Sequence, residues 1–317
     1  MVNGQDIALI SGNGNRKLAL EIAKHLGINL TPSIVGKFPN GETMVEIKES
    51  VRGKNAFIIQ PTCPPVNDNL MELLLMIDAL RRSSALEINV VIPYFGYSKQ
   101  DKKKSGREPI SARLVADLIQ QAGAKRVIVL DLHAPQIEGF FTIPVDNLSA
   151  LSLFADYFKE KKLDDVVVVA PDAGGAKRAR SLANMLSSRL AIIDKYRNKE
   201  REANAMNVVG KVEGMNAIII EDFVDTGGTI AEAIKALRNH KAKSIYVAYT
   251  HAINTDPATE KLAESDCEEV IVTDTIALPP EKQLDKIKVI SVSGLLAETI
   301  RKVHRGETVA HLFHHYE

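Results

Sequence analysis

Residues 216–238 read NAIIIEDFVDTGGTIAEAIKALR. Ala217–Ile220 is an apolar run without alternation, the pattern of a parallel strand covered on both faces. It ends in the adjacent acids Glu221 and Asp222, and Asp225-Thr226-Gly227-Gly228-Thr229 then leads into a sequence of helical period. Gly227 and Gly228 let the backbone turn closely, Thr226 and Thr229 add hydroxyls, and the first amides of the helix face outward. Together these make a cradle for phosphate. Carboxylates beside a phosphate repel it unless they have another task, such as gripping sugar hydroxyls or a magnesium ion, so the cluster predicts a site for a phosphorylated ribose. A capped helix after a tight turn accounts for the Thr and Gly residues but leaves three carboxylates without a purpose. The spacing is neither the P-loop pattern nor the dinucleotide fingerprint.

The same strand-then-helix unit recurs outward from this point. IALIS, AFIIQ, INVVIP, RVIVLD, DVVVVA and SIYVAY are further short apolar runs separated by amphipathic stretches, which predicts an α/β protein with parallel sheets. GKNAFIIQ from Gly53 and GMNAIIIE from Gly214 match as turn, buried strand and polar loop; a duplicated unit is the economical reading, and chance recurrence of glycine-led strands in a parallel sheet is the alternative. Asn69 with Glu72 reads as a capping pair opening LMELLLMIDALRR, Pro109 as a first-turn residue, and Gly123 as the stop after ISARLVADLIQQA. A boundary near Asn147 gives an N-terminal domain of residues 1–147 and a C-terminal domain of residues 148–317. Lys plus Arg number 40 and Asp plus Glu number 40 in 317 residues, so no global charge draws the chain to nucleic acid or an anionic membrane. Aromatic residues are 5% with no Trp, which argues against a base-stacking platform. The two cysteines, Cys63 and Cys267, are too few for a disulfide scaffold or a thiolate zinc site and suit a reducing cytoplasm. No basic-then-apolar leader and no membrane-length apolar run is present.

Other segments place chemistry at predicted strand ends. PDAGGAKR follows VVVVA, setting Asp172, Gly174 and Gly175 at a turn with Lys177 and Arg178 nearby. RVIVLDLHA delivers Asp131 and His133, although a lone imidazole in such a place is more often structural than ligating. IIDKYRNKEREANAMN, residues 192–207, is dense in charge and poor in apolar period, as a solvated loop would be. FPNGE, residues 38–42, is by its composition a turn.

Taken together, KFPNGE (37–42), NDNLMELLLMIDALRR (67–82), VIPYFGYSKQDKK (91–103), REPISARLVADL (107–118), DLHAPQIEGFF (131–141), PDAGGAKRAR (171–180), the acid-and-TGGT segment and RGETVAHLF (305–313) resemble the ribose-phosphate diphosphokinases, the phosphoribosyl diphosphate synthetases, over nearly the whole chain. The resemblance implies two similar Rossmann-like phosphoribosyltransferase-type domains, with a tail from about residue 305 that could return to the first. It implies transfer of the diphosphoryl group of ATP to the anomeric hydroxyl of ribose 5-phosphate, giving AMP and 5-phosphoribosyl 1-diphosphate for nucleotide, histidine and tryptophan biosynthesis. By the same resemblance Lys195 and Arg197 are catalytic cations on a closing lid. Phe38, Asn40, Gly41, Glu42, Lys99, Gln100, Asp101 and His133 take ATP. Arg197, Glu221, Asp222, Asp225, Thr226, Gly227, Gly228 and Thr229 take ribose 5-phosphate, and His133 and Asp172 meet Mg2+. A cytoplasmic homo-oligomer of dimers assembling to a hexamer is implied as well. The chain departs from the family pattern in Lys99 for a usual Arg, Asn40 for a common acid, Glu221 for a usual Asp, Thr250-His251-Ala252 for Thr-His-Gly, and Thr308-Val309-Ala310 in the tail. A phosphoribosyltransferase that consumes phosphoribosyl diphosphate, and a silent homologue that binds active subunits, are the competing readings.

Overall fold

The apolar runs become the strands of two parallel sheets in the computed structural model, which describes residues 6–196 and 205–312. The first unit runs β1 (Ile7–Ser11), α1 (Arg16–Leu26), β2 (Ser33–Lys37), β3 (Thr43–Ile47), β4 (Asn55–Ile59), α2 (Val66–Arg82), β5 (Glu87–Ile92), α3 (Ser111–Ala122), β6 (Arg126–Leu130) and β7 (Val145–Leu148). The second continues with α4 (Leu151–Lys161), β8 (Val166–Ala170), α5 (Ala176–Met185), β9 (Arg189–Tyr196), β10 (Ala205–Val209), β11 (Asn216–Val224), α6 (Gly228–Asn239), β12 (Ser244–Ala252), α7 (Asp256–Glu264), β13 (Glu269–Thr273) and β14 (Ile287–Ile290). A last helix, α8 (Ser293–Arg305), belongs to the first unit, which takes in Thr275–Ala277 and residues 291–312. There Arg301 donates to the His25 carbonyl at the end of α1, and Asn55 meets His304 at 3.2 Å. No helix among the described residues is long and apolar enough to cross a membrane.

Strand order in the first unit is β1-β4-β5-β6-β7, all parallel, with β2 and β3 forming a separate antiparallel hairpin. In the second it is β10-β9-β8-β11-β12-β13-β14, parallel except for β10. The series β1, β4, β5, β6, β7 thus corresponds to β8, β11, β12, β13, β14, and the hairpin β2–β3 to β9–β10. The paired sequences at Gly53 and Gly214 lead into β4 and β11, equivalent strands of the two sheets. Each sheet is buried by its crossover helices. Ile10, Ile58, Leu73, Ile77, Val90 and Val129 lie in the core of the first unit, and Val169, Ile219, Leu237, Val247 and Tyr249 in that of the second.

Two helix starts differ from the reading of the sequence. α2 begins at Val66, so Asn69 and Glu72 lie inside it and do not cap it. Both are buried and hydrogen-bonded. Glu72 accepts from Gln60 Nε2 (2.9 Å), Asn13 N (3.0 Å) and Asn13 Nδ2 (2.8 Å), while Asn69 Nδ2 donates to the Cys63 carbonyl (2.8 Å). Buried polar side chains need such partners, and this set fixes the loops after β1 and β4. Pro109 likewise precedes α3 rather than entering its first turn, whereas Gly123 ends that helix as expected, at φ +126°.

The loop after β5 is equally constrained, since Gly96 N donates to Thr62 Oγ1 at 2.7 Å and a Cβ on Gly96 would lie 2.4 Å from the Thr62 carbonyl oxygen. Gly96→Ala is expected to cost about 1–3 kcal/mol through overpacking, read as a lower urea midpoint; an unchanged midpoint would show that the loop yields freely.

Candidate active site

In the second unit the chain order reverses between β8 and β11, which lie side by side in register from Val166 opposite Asn216 to Val169 opposite Ile219. Crevices outside the carboxyl ends of such strands are where α/β sheets bind ligands. The loop after β8 carries Asp172, Gly174 and Gly175; Asp172 Oδ1 accepts from Gly175 N at 3.2 Å, closing the turn into α5. β11 is longer than its apolar run. It continues through both acids to Val224, because Glu221, Phe223 and Val224 still pair with Tyr249, His251 and Ala252 of β12.

The acids are held by a residue whose role the sequence did not show. Arg178, on the buried face of α5, places Nη1 at 2.9 Å from Glu221 Oε1 and 3.6 Å from Asp222 Oδ1. Burial, and next the negative Asp222, push the Glu221 carboxyl up from its ordinary value to about 8, against the pull of Arg178. The TGGT loop follows directly. Gly227 has φ +70°, and a Cβ there would lie 3.0 Å from the Ala258 Cα, so glycine is required. α6 then starts at Gly228, with the unpartnered amides and positive dipole end that favour an anion. Chain continuity therefore brings Glu221, Asp222, Asp225, Thr226, Gly227, Gly228 and Thr229 to one strand end, with Asp172 on the adjacent strand's loop.

Lys195 lies in β9, opposite Met206 of β10 in antiparallel register. Arg197 falls in residues 197–204, outside the described residues, so the charged stretch is placed only by its two flanking strands.

In the first unit, FPNGE forms the tip of the β2–β3 hairpin. Phe38 N donates to the Glu42 carbonyl (2.8 Å), Gly41 N to the Phe38 carbonyl (2.9 Å) and Glu42 N to Asn40 Oδ1 (3.1 Å), with Gly41 at φ +91°. Phe38 is 49% exposed. Lys99 and Gln100 sit in a 3-10 turn, Ser98–Gln100, beyond β5, where Gln100 Oε1 accepts from Ser111 Oγ at 2.6 Å. Asp101 is buried and accepts from Gln136 Nε2 at 2.5 Å. Gln136 lies three residues past His133, so this bond joins the Lys99–Asp101 turn to the exposed His133 loop at the end of β6. Among the described residues no group of three His, Cys, Asp or Glu side chains is arranged to hold a metal ion.

Comparison with known proteins accounts for both halves. Residues 7–123 match the family model described as the N-terminal domain of ribose phosphate pyrophosphokinase, and residues 196–314 the phosphoribosyl synthetase-associated domain. A ribose-phosphate pyrophosphokinase of Caldanaerobacter subterraneus subsp. tengcongensis is 55% identical over 97% of this chain and 98% of its own, and one of Bacillus caldolyticus is 52% identical over 97% and 98%. The crystal structure of phosphoribosylpyrophosphate synthetase from Mycobacterium smegmatis superposes with a TM-score of 0.91 at 44% identity, covering 95% of this chain and 99% of that one. Similarity this high, over nearly the whole chain, makes it a member of the ribose-phosphate pyrophosphokinase family.

Proposed function

We propose that this chain transfers the diphosphoryl group of ATP to the anomeric hydroxyl of ribose 5-phosphate, forming 5-phosphoribosyl 1-diphosphate and AMP. The observation that carries it is the acid-and-TGGT strand end at the β8/β11 reversal, in a chain related along its length to ribose-phosphate pyrophosphokinases. In this reading the amides of the TGGT loop hold the 5-phosphate. Glu221, Asp222 and Asp225 orient the ribose hydroxyls, and Arg178 keeps the two strand acids from repelling each other out of place. ATP is assigned to loops of the first unit, with Phe38 against the base, Asn40, Gly41 and Glu42 beside it, and Lys99, Gln100, Asp101 and His133 toward the phosphates.

The anomeric hydroxyl loses its proton to solvent as its oxygen forms a bond to the β-phosphorus and the bond from that phosphorus to the α,β-bridging oxygen breaks, and AMP leaves. Such transition states are loose in most analyses, so positioning and charge are what the protein supplies. Lys195 and Arg197 are the cations assigned to the transferring group. Mg2+ typically keeps several waters and binds through one or two carboxylates plus substrate phosphates. Asp172 would supply one carboxylate to such an ion, while the imidazole of His133, an unusual magnesium ligand, would act through the nucleotide's phosphates. When bound, the ion neutralises polyphosphate charge. A cytoplasmic setting and assembly of dimers into a hexamer complete the proposal.

The deciding assay is release of AMP from ATP. It is expected to require both ribose 5-phosphate and magnesium; release driven instead by a nucleobase with phosphoribosyl diphosphate would point to a phosphoribosyltransferase. Lys195→Ala is expected to lower turnover by about 10²–10³-fold, the usual effect of losing one preorganised charged donor, with little change in ribose 5-phosphate affinity. Turnover close to that of the unaltered protein would remove Lys195 from its role. The acid pair gives a pH test without substrate. Glu221 titrates near 8 when folded and near 4.5 when unfolded, so the folded state retains a proton that the unfolded chain releases. The resulting stabilisation is complete below about pH 4.5 and is lost as pH rises through about 8. Thermal melts of Glu221→Gln should therefore be flatter with pH across this window than those of the wild type, and parallel profiles would contradict the assignment.

A further inference from the structure

The stretch INTDPATEK, residues 253–261, joins β12 to α7 and forms the start of that helix, and no step above uses it. Its polar groups hold three successive carbonyls on the approach to the TGGT loop. Val224 O accepts from Asn254 N (3.0 Å), and Asp225 O accepts from both Thr255 N (3.0 Å) and Thr255 Oγ1 (2.8 Å). Thr226 O accepts from Lys261 Nζ (3.0 Å). In a trans peptide the N–H points opposite to the carbonyl of the same unit. Tethering the carbonyls of residues 224–226 from the α7 side therefore turns the N–H groups of Asp225, Thr226 and Gly227 away from α7. Among the described residues, the N–H groups of Thr226, Gly227 and Gly228 donate to no protein acceptor.

The tethering segment is itself fixed. Asn254 is fully buried at φ +39°; its Oδ1 accepts from Tyr249 Oη at 3.0 Å and its carbonyl from Lys282 Nζ at 2.7 Å. Lys282 also pairs with Asp256 at 3.4 Å, and Ala258 backs directly onto Gly227. Asn254 and Thr255 tether through their backbone N–H groups, with Thr255 Oγ1 adding a second bond to the Asp225 carbonyl. The third tether depends on one side chain reaching back from the second turn of α7.

We propose that Lys261 is a positioning residue of the ribose 5-phosphate site, which by tethering the Thr226 carbonyl aims the TGGT amides at the phosphate. This rests on the reading of that loop as the ribose 5-phosphate site. Lys261→Met in the full-length protein is expected to bind ribose 5-phosphate about tenfold more weakly by calorimetry, the fold-change of one charge-assisted hydrogen bond. The KM for ribose 5-phosphate should rise by the same factor, with kcat and the KM for ATP within about twofold, and Lys261→Arg should recover most of the loss. A through-space charge effect fades with salt, whereas an orientation effect does not, so the loss should persist at high ionic strength. Should Lys261→Met melt at a lower temperature, Lys261→Gln, which keeps more of the polar character, replaces it with the same expected loss. Wild-type binding of ribose 5-phosphate no tighter than that of ribose would overturn the reading of the loop. Tight wild-type binding that Lys261→Met shares, or a loss that disappears in salt, would overturn the role of Lys261 alone.

Discussion

A parallel strand cannot be joined to its neighbour by a tight turn; the chain must cross back over a face of the sheet, usually as a helix, before it can pair again. Every strand of such a sheet therefore ends on the same edge, and every loop that follows a strand gathers there. The protein meets this constraint twice. In the second unit the edge carries the Asp172 turn and the acid-and-TGGT segment on neighbouring strands, and in the first it carries the loops bearing Lys99–Asp101 and His133. Helices that cover the faces supply the hydrophobic cores, so the chemistry at the edge rests on strands buried on both sides.

That rigidity is what allows two carboxylates to stand next to each other at one strand end. Adjacent buried acids are costly unless a cation is close, and Arg178 supplies it from α5, the helix that the Asp172 turn initiates. The two strand ends at the chain reversal are thereby joined by charge as well as by the sheet ladder. The high Glu221 pKa records the remaining imbalance, in which one guanidinium faces two acids in a poorly solvated place.

The sheets were legible because strands covered on both faces are written as uninterrupted Val and Ile runs, as in VVVVA and NAIIIED, and because Gly227 and Gly123 mark turns that few other residues can make. Elements with one exposed face left a weaker trace: β2, β3 and β14 mix apolar and polar residues and are only partly buried. Asn69 and Glu72 misled for a physical reason, since the spacing that signals a helix cap also suits two polar side chains on the inner face of a helix, where Gln60, Asn13 and the Cys63 carbonyl satisfy them. The acid-and-TGGT site was readable because it is contiguous. Arg178 with Glu221 and Lys261 with Thr226 join residues far apart in sequence, and no local pattern announces such pairs.

The two hairpins stand in the same place in each half, yet only β9–β10 is bonded into its main sheet; β2–β3 forms a ladder of its own. β1 is consequently an edge strand, screened by the bond from Thr31 N to the Leu9 carbonyl, where its counterpart β8 is flanked on both sides. The arm bearing Phe38 can lengthen, shorten or exchange its tip without breaking a rung of the main ladder. Evolution thus has a place to retune what that tip grips while leaving the folding of the sheet untouched.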